Sequence, residues 1–337
     1  MFLSFIFLFT LITYICLYFC KKYNFLLDIK TEKHKRFTSI QKNYSIGGIL
    51  ILIYFCFYFF KENNFIYILF FSLIFIIGLL SDLKIFNDPN KRFIFQALVI
   101  FIFIYLLDLK IEQTRFIFLD LLLGNFYFNQ LFTIFCLMIL INGSNFIDGI
   151  NTLLINYNIF LYSILLIFFE HMLPDKVILQ YLILVLLILL LFNFNGKIIM
   201  GDSGSYLLSM FTGTYLIVFA SQNNSISPFF VVLLLWYPCY ELLFSMIRRA
   251  IIKKDANKAD VFHLHQMLFK VIKIKSKNKN NTSHFIASTL INIYSSLTIL
   301  YAIQYSTYTD KIIYIISINI FVYSIFYIYL KKKLKTY

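Results

Sequence analysis

Apolar residues run through eleven stretches of the chain, at about 2–20, 46–60, 65–80, 92–107, 131–143, 153–170, 177–193, 203–220, 229–247, 285–304 and 312–330. Polar residues gather in the segments between them. The runs are continuous rather than alternating, which favours membrane helices over a β-barrel. Several hold only 15–17 apolar residues, short of the roughly 20 that a full span needs. A twelfth stretch, 116–128, is interrupted by Asp120 and Gly124 and predicts an interfacial hairpin or short helix. The pattern predicts an all-α polytopic membrane protein of 10–11 transmembrane helices. It forms a single integral-membrane domain over 1–337, with one long loop at 248–284.

Composition removes the soluble alternative. Hydrophobic residues make up 61% and charged residues 14%, against roughly 45–50% and about 25% in soluble domains. The net charge of +14 would suggest nucleic acid in a soluble protein; here it reads as topology, and no nucleic-acid partner is expected. With the N-terminus outside and the C-terminus cytoplasmic, the inner segments hold 25 of the 30 Lys and Arg. The outer ones hold only Lys61, Lys110, Arg115, Lys176 and Lys311. That bias is the positive-inside pattern. The first run lacks a basic leader and a small-residue cleavage site and ends in Lys21-Lys22, so it reads as a retained helix. The stretch 270–279 reads as a solvated basic loop beside anionic headgroups. The five cysteines all lie in apolar runs and read as small buried hydrophobes.

The chemistry-bearing residues cluster on the inner face. Asp28, Glu32, Asp82, Asp88, Asp148, Asp202, Glu241, Asp255 and Asp260 lie there, with Asn142, Asn145, Asn193, His34, His263, His265 and His284. The midplane is nearly empty of charge, unlike a transporter path. Ser81-Asp82 ends one apolar run; Lys91-Arg92 and Gln96 open the next. Simple helix-end anchoring is the plain alternative. Asn142, Asn145 and Asp148 share one helix face, an arrangement that is costly without partners. Asn193 and Lys197 lead into Gly201-Asp202-Ser203-Gly204-Ser205, which opens an apolar helix. Such a start suits a phosphate, and Asp202 suits a hard cation such as Mg²⁺; an ordinary N-cap cluster is the alternative. Asp260, His263 and His265 follow Arg248-Arg249. The His pair lacks the further ligands of a zinc site, so phosphate contact is the better reading. Asp28 to His34 and the pair Gly47-Gly48 are weak signals alone.

In this order the motifs resemble the polyprenyl-phosphate N-acetylhexosamine-1-phosphate transferases. The matching patterns are Asn-x-x-Asn-x-x-Asp-Gly at 142–149, Met-Gly-Asp-x-Gly-Ser at 200–205 and Asp-x-x-His-x-His at 260–265, all within 28–265. The stretch 238–249, with Glu241, resembles the family's penultimate cytoplasmic helix. The resemblance implies a reaction between a UDP-N-acetylhexosamine and undecaprenyl phosphate. The products are undecaprenyl-diphospho-N-acetylhexosamine and UMP, as the first membrane step of an O-antigen, teichoic-acid or related glycan. It implies Mg²⁺, with Mn²⁺ as the substitute, a bacterial inner-membrane location and an active site at the cytoplasmic face; a homodimer is compatible with it. Asp202 is expected to ligate the metal, Asp148 to be a second acid for metal or nucleotide, and Asp82 to position or deprotonate the lipid phosphate. Asn142, Asn145, Asn193 and Lys197 are expected to line the nucleotide-sugar cleft, and Arg249, His263 and His265 to bind diphosphate. Two departures stand out: the family usually has two acids at 81–82 and often an acid at 151, where this chain has Ser81 and Asn151. They keep a catalytically inactive scaffold open as a rival, beside a lipid-linked-sugar flippase.

Overall fold

The computed structural model describes residues 2–28, 43–86, 88–251, 262–276 and 280–335. It contains α1 (Phe2–Tyr23), α2 (Gly47–Lys61), α3 (Phe65–Asp82), α4 (Pro89–Leu106), α5 (Ile117–Leu123), α6 (Phe126–Ile147) and α7 (Leu153–Phe168). These are followed by α8 (Lys176–Phe194), α9 (Gly201–Gln222), α10 (Pro228–Leu234), α11 (Trp236–Ile251), α12 (Leu264–Ser276), α13 (Asn280–Ile303) and α14 (Thr309–Lys335). Leu27–Asp28 and Asn43–Tyr44 pair as a two-residue antiparallel ladder.

Among the described residues, eight helices are long and apolar enough to cross a membrane, or nine if α10 and α11 form one bent span. Each of the eleven apolar runs has become helix. The count falls below 10–11 because α2 and α7, with 15 and 16 residues, reach only about 22–24 Å. The chain is a multi-pass membrane protein. The interrupted stretch at 116–128 is the short α5, a turn at Gly124 and the start of α6.

Helix α9 is the hub, packing against α2, α3 and α6. In its apolar window 83% of residues are buried, against 17% in α1. Gly48 and Gly78 let α2 and α3 approach it: a Cβ on Gly78 would lie 2.5 Å from the Ser203 amide nitrogen, and one on Gly48 2.6 Å from that of Gly204. The pair Gly47-Gly48, weak in the sequence, thus has a packing role. One buried polar group inside the bundle is paired internally: Tyr162 meets Thr212 at 2.6 Å, and Thr212 donates to Asn158 at 3.2 Å.

The break between α10 and α11, a bend of 79°, has a local cause. Pro238 has no N–H for the Leu234 carbonyl, and its ring would clash with that carbonyl in a straight helix. The Tyr157 hydroxyl takes up the freed oxygen at 2.7 Å, so that carbonyl is not left unsatisfied.

The expected loop at 248–284 is largely helical: residues 248–251 finish α11, 264–276 form α12 and 280–284 open α13. The basic stretch from Lys270 therefore lies on an amphipathic helix as far as 276. That helix buries Leu264, Met267, Leu268, Phe269 and Val271, and this apolar stripe overrides the lysines between. Residues 277–279 lie outside the described residues.

At the end of the bundle away from the acids, Arg115 gathers three turns. It donates to the carbonyls of Asn224 and Ser225, both at 2.9 Å, Ile226 at 3.2 Å and Thr307 at 2.7 Å, and to the Thr309 hydroxyl at 3.2 Å.

Candidate active site

The ends of α3, α6, α8 and α11 and the starts of α2, α4 and α9 come together at the other end. The wall between them is backbone. Ile199 donates to the Tyr44 carbonyl at 3.0 Å and Gly47 to the Ile199 carbonyl at 3.1 Å, which ties the entry of α2 to the loop before α9. Gly201, at φ +71°, makes the turn into α9. Its left-handed backbone favours glycine, and a side chain there would also meet the Asp82 carboxylate, 2.7 Å from Oδ2.

Asp82 lies across the first turn of α9. It accepts from the amides of Asp202 at 2.9 Å and Ser203 at 3.1 Å, and from the Ser203 hydroxyl at 2.7 Å. A helix N-terminus exposes amides and positive potential, and an acid from another helix satisfies both. Asp202 is left to face outward. Its Oδ2 accepts from the Ser81 hydroxyl at 2.6 Å and from Arg92 Nη1 at 2.7 Å. The same guanidinium nitrogen also reaches Ser81. Arg92 and Asp202 remain 21% and 25% exposed, so this ion pair meets water.

The asparagines split between cleft and scaffold. Asn145 accepts from Ser205 at 3.1 Å, and Asn142 reaches Gln96 at 3.4 Å and the Met138 carbonyl at 2.9 Å; both stay partly exposed. Asn193 is buried. It donates to the Ile198 carbonyl at 2.8 Å and accepts from the Thr152 amide at 2.5 Å, and its own carbonyl accepts from Asn151 at 3.1 Å. Asn193 therefore pins the turn after α6 to the loop before α9. Thr152 is left-handed at φ +69°, and that bond holds it there. Lys197 is exposed beside this loop, and Asp148 caps the end of α6, where its amide donates to the Ser144 carbonyl at 3.1 Å.

A second cluster lies behind Phe146. His263 Nδ1 meets Glu241 Oε1 at 2.9 Å, and its ring packs edge-on against Phe146 with centroids 4.9 Å apart. Arg249 sits over the same Phe146 ring, 5.7 Å from its centroid. His265 stacks on His263 at 5.6 Å and is fully buried. Burial holds its imidazole down to about 3, so it is neutral at physiological pH. It lies under the turn after α6, where a Cβ on Gly149 would be 3.0 Å from its Nε2. Asp260 of the same motif lies outside the described residues, as do Glu32, His34 and Asp255.

The structure thus brings Asp82, Asp202, Arg92 and Ser81 into one contact group, Asn142, Asn145 and Ser205 into a neighbouring one, and His263, Arg249 and Phe146 into a third. Arg92 and Ser81 as partners of Asp202, and Tyr323, which donates to Glu241 at 2.8 Å, were not singled out as site residues. The first had a signal in the spacing of Ser81 and Arg92 at adjoining helix ends; Tyr323, in a tyrosine-rich run, had none.

No group of three or more His, Cys, Asp or Glu side chains able to hold a metal exists among the described residues. That excludes an all-protein cage from this set, but not a Mg²⁺ site, because Mg²⁺ is commonly held by one or two carboxylates with water and substrate phosphates. Asp202, with the Ser81 oxygen beside it, fits that mode.

The stretch 64–220, from the start of α3 nearly to the end of α9, matches the family model described as glycosyl transferase family 4. Over that stretch the chain is similar to glycosyl transferase family 4. A curated relative, the undecaprenyl-phosphate alpha-N-acetylglucosaminyl 1-phosphate transferase of Thermotoga maritima, is 32% identical over 78 residues. The aligned part is 23% of this chain and 25% of that relative, so the chain spans about a quarter of the relative's length. The family-4 stretch holds Asp82, Asn142, Asn145, Asp148, Asn193, Lys197 and Asp202; Arg249, His263 and His265 lie beyond it.

Proposed function

We propose that this protein is a family-4 glycosyl transferase that moves an N-acetylhexosamine 1-phosphate from a UDP-sugar to undecaprenyl phosphate in a bacterial inner membrane, as the first membrane step of a cell-surface glycan. The observation that carries the reading is the mouth of α9, where an outward acid, a cation and a capped helix start meet at one end of a membrane bundle.

In this reaction an oxygen of the lipid phosphate attacks the β-phosphorus of the UDP-sugar. A new P–O bond forms and the bond from that phosphorus to the bridging oxygen breaks, so UMP leaves with the bridge. A phosphate monoester is already largely ionised near neutral pH, so positioning and charge neutralisation matter more than a strong base. Asp202 would hold Mg²⁺, which would neutralise charge on the diphosphate. Arg92 places a fixed cation where two phosphates must approach each other. Asp82 acts by fixing the start of α9, and so the direction of Asp202. That supports a positioning role over a base, since its oxygens already accept three hydrogen bonds. Asn142 and Asn145 line the partly exposed face beside Asp202 and suit the nucleotide sugar. Arg249 and His263, which share Phe146, suit the diphosphate, whereas neutral, buried His265 suits support of the turn at Gly149.

The test is UMP release from a panel of UDP-sugars by purified protein given undecaprenyl phosphate and Mg²⁺. Release that needs both lipid and metal supports the reading. No release with any sugar, from a folded protein, would favour a scaffold, for which the existing Arg92–Asp202 pair is the specific observation.

A further inference from the structure

Glu241 is fully buried in α11, and an ionisable group in such a place is costly unless its oxygens are satisfied. Two other helices satisfy it. From the start of α12, His263 Nδ1 lies at 2.9 Å from Oε1 and the Leu264 amide at 3.4 Å. From α14, the Tyr323 hydroxyl donates to Oε2 at 2.8 Å. Tyr323 has little freedom to leave: its ring packs edge-on against Tyr240 at 4.9 Å and against Phe244 at 5.1 Å. One carboxylate therefore has one oxygen held by the last helix and the other holding an imidazole. That imidazole packs on Phe146, which carries Arg249 on its ring and stands two residues before Asp148.

We propose that Tyr323 is a positioning residue for the nucleotide diphosphate. It fixes the rotamer of Glu241, and Glu241 fixes the ring plane of His263, so that the nitrogen not held by Glu241 is presented at the Phe146 edge of the cleft. The last helix, outside the family-matched stretch, thereby contributes to substrate binding without touching substrate. The inference rests on the diphosphate role given above to His263 and Arg249.

UDP is the probe, and its affinity is read by calorimetry on the full-length protein in detergent. Four proteins are compared: wild type, Tyr323→Phe, His263→Gln and the double variant. Tyr323→Phe keeps the ring packing and removes one hydrogen bond to a charged group, so UDP should bind roughly tenfold more weakly. In the His263→Gln background the same change should have no further effect, because the residue that it positions is gone. Glu241→Gln should behave alike in both backgrounds, which secures the result if Tyr323→Phe alone is poorly folded. Wild-type affinity in Tyr323→Phe would overturn the inference, as would a tenfold loss that repeats in full beside His263→Gln, since that marks a general packing effect. A wild type that binds no UDP would overturn the reading of the site itself, a distinct result.

Discussion

Asp202 and Glu241 both pair with a basic side chain at the same end of the bundle. Asp202 keeps a quarter of its side chain in contact with solvent and is held by the serine and arginine of two neighbouring helix ends. Glu241 is closed off by a histidine and a tyrosine. A partly exposed ion pair is worth little and can exchange partners, whereas a buried one is expensive to disturb. The first cluster can therefore exchange its contacts, as the proposed reaction requires when phosphates arrive, whereas the second keeps its own. The same contrast separates the two acids at the mouth of α9: Asp82 is committed to backbone amides and Asp202 is left facing the cleft.

The sharpest way to break this contrast is Asp202→Asn. UMP release should fall on the order of a thousandfold or more, with the thermal midpoint nearly unchanged. Near-normal turnover at saturating Mg²⁺ would shift the metal to Asp148 or Asp82. Asp82→Asn should do the reverse in kind. It removes the charge that caps α9, so the unfolding midpoint should drop visibly, by about 1–3 kcal/mol in stability, together with activity. A variant that lost activity with an intact midpoint would instead return Asp82 to direct contact with substrate.

A third experiment probes the sealed cluster. His265 is neutral in the fold, its proton affinity lowered to about 3 by burial, against an ordinary 6.5. Between those values the unfolded chain binds the proton and the folded one does not. Stability should be fully present above about pH 6.5 and decline as pH falls toward 3, by up to about 1.4 kcal/mol per unit from this group. Glu241, His263 and the Tyr237 hydroxyl surround the ring, and Glu241 opposes the effect by favouring the charged form. Thermal scans of wild type and His265→Asn across that range should differ in slope; equal slopes would mean that His265 is protonated in the fold.

Much of the bundle was legible in the sequence, because a continuous apolar run can satisfy its backbone in a membrane only as helix. The ends were less legible. Residues 126–130 of α6 include Asn129 and Gln130, both buried, and these polar groups hid the helix start from a hydropathy reading. The helix α12 depends on tertiary partners, the surfaces of α13 and α14, and the carbonyl freed by the Pro238 kink finds its donor only in the distant Tyr157. In the candidate site, the spacing of acids and asparagines placed Asp82, Asn142, Asn145 and Asp202 at one end of the bundle, but it could not separate a residue left partly exposed there from one turned into the scaffold. Asn193 and Asn151 illustrate this, since the Asn193 amide serves the loop between α8 and α9 and the Asn151 amide the last turn of α8.

The smallest expected effects concern Ser81 and Asn151. Ser81→Asp would put a carboxylate beside Asp202 and compete for Arg92, so UMP release should stay level or fall a few-fold. A rise would show that the open cluster needs a second acid. Asn151→Asp loses the donor to the Asn193 carbonyl, and a cost of about 1 kcal/mol in stability is expected, read as a modest drop in midpoint. A silent wild type with an active Ser81→Asp/Asn151→Asp double variant would identify the natural chain as a scaffold.

At the far end of the bundle, the five acceptors of Arg115 have a consequence for motion. Alternating access requires two halves of a carrier to rock so that a central site opens first to one side and then to the other. Here a single guanidinium holds the α9–α10 and α13–α14 turns to the segment before α5. Opening that end would break several charge-assisted bonds at once, while the acids at the opposite end need no such movement to meet a lipid headgroup. On the proposed reading, substrate enters and product leaves at the end that holds Asp82 and Asp202, with no rocking of the bundle.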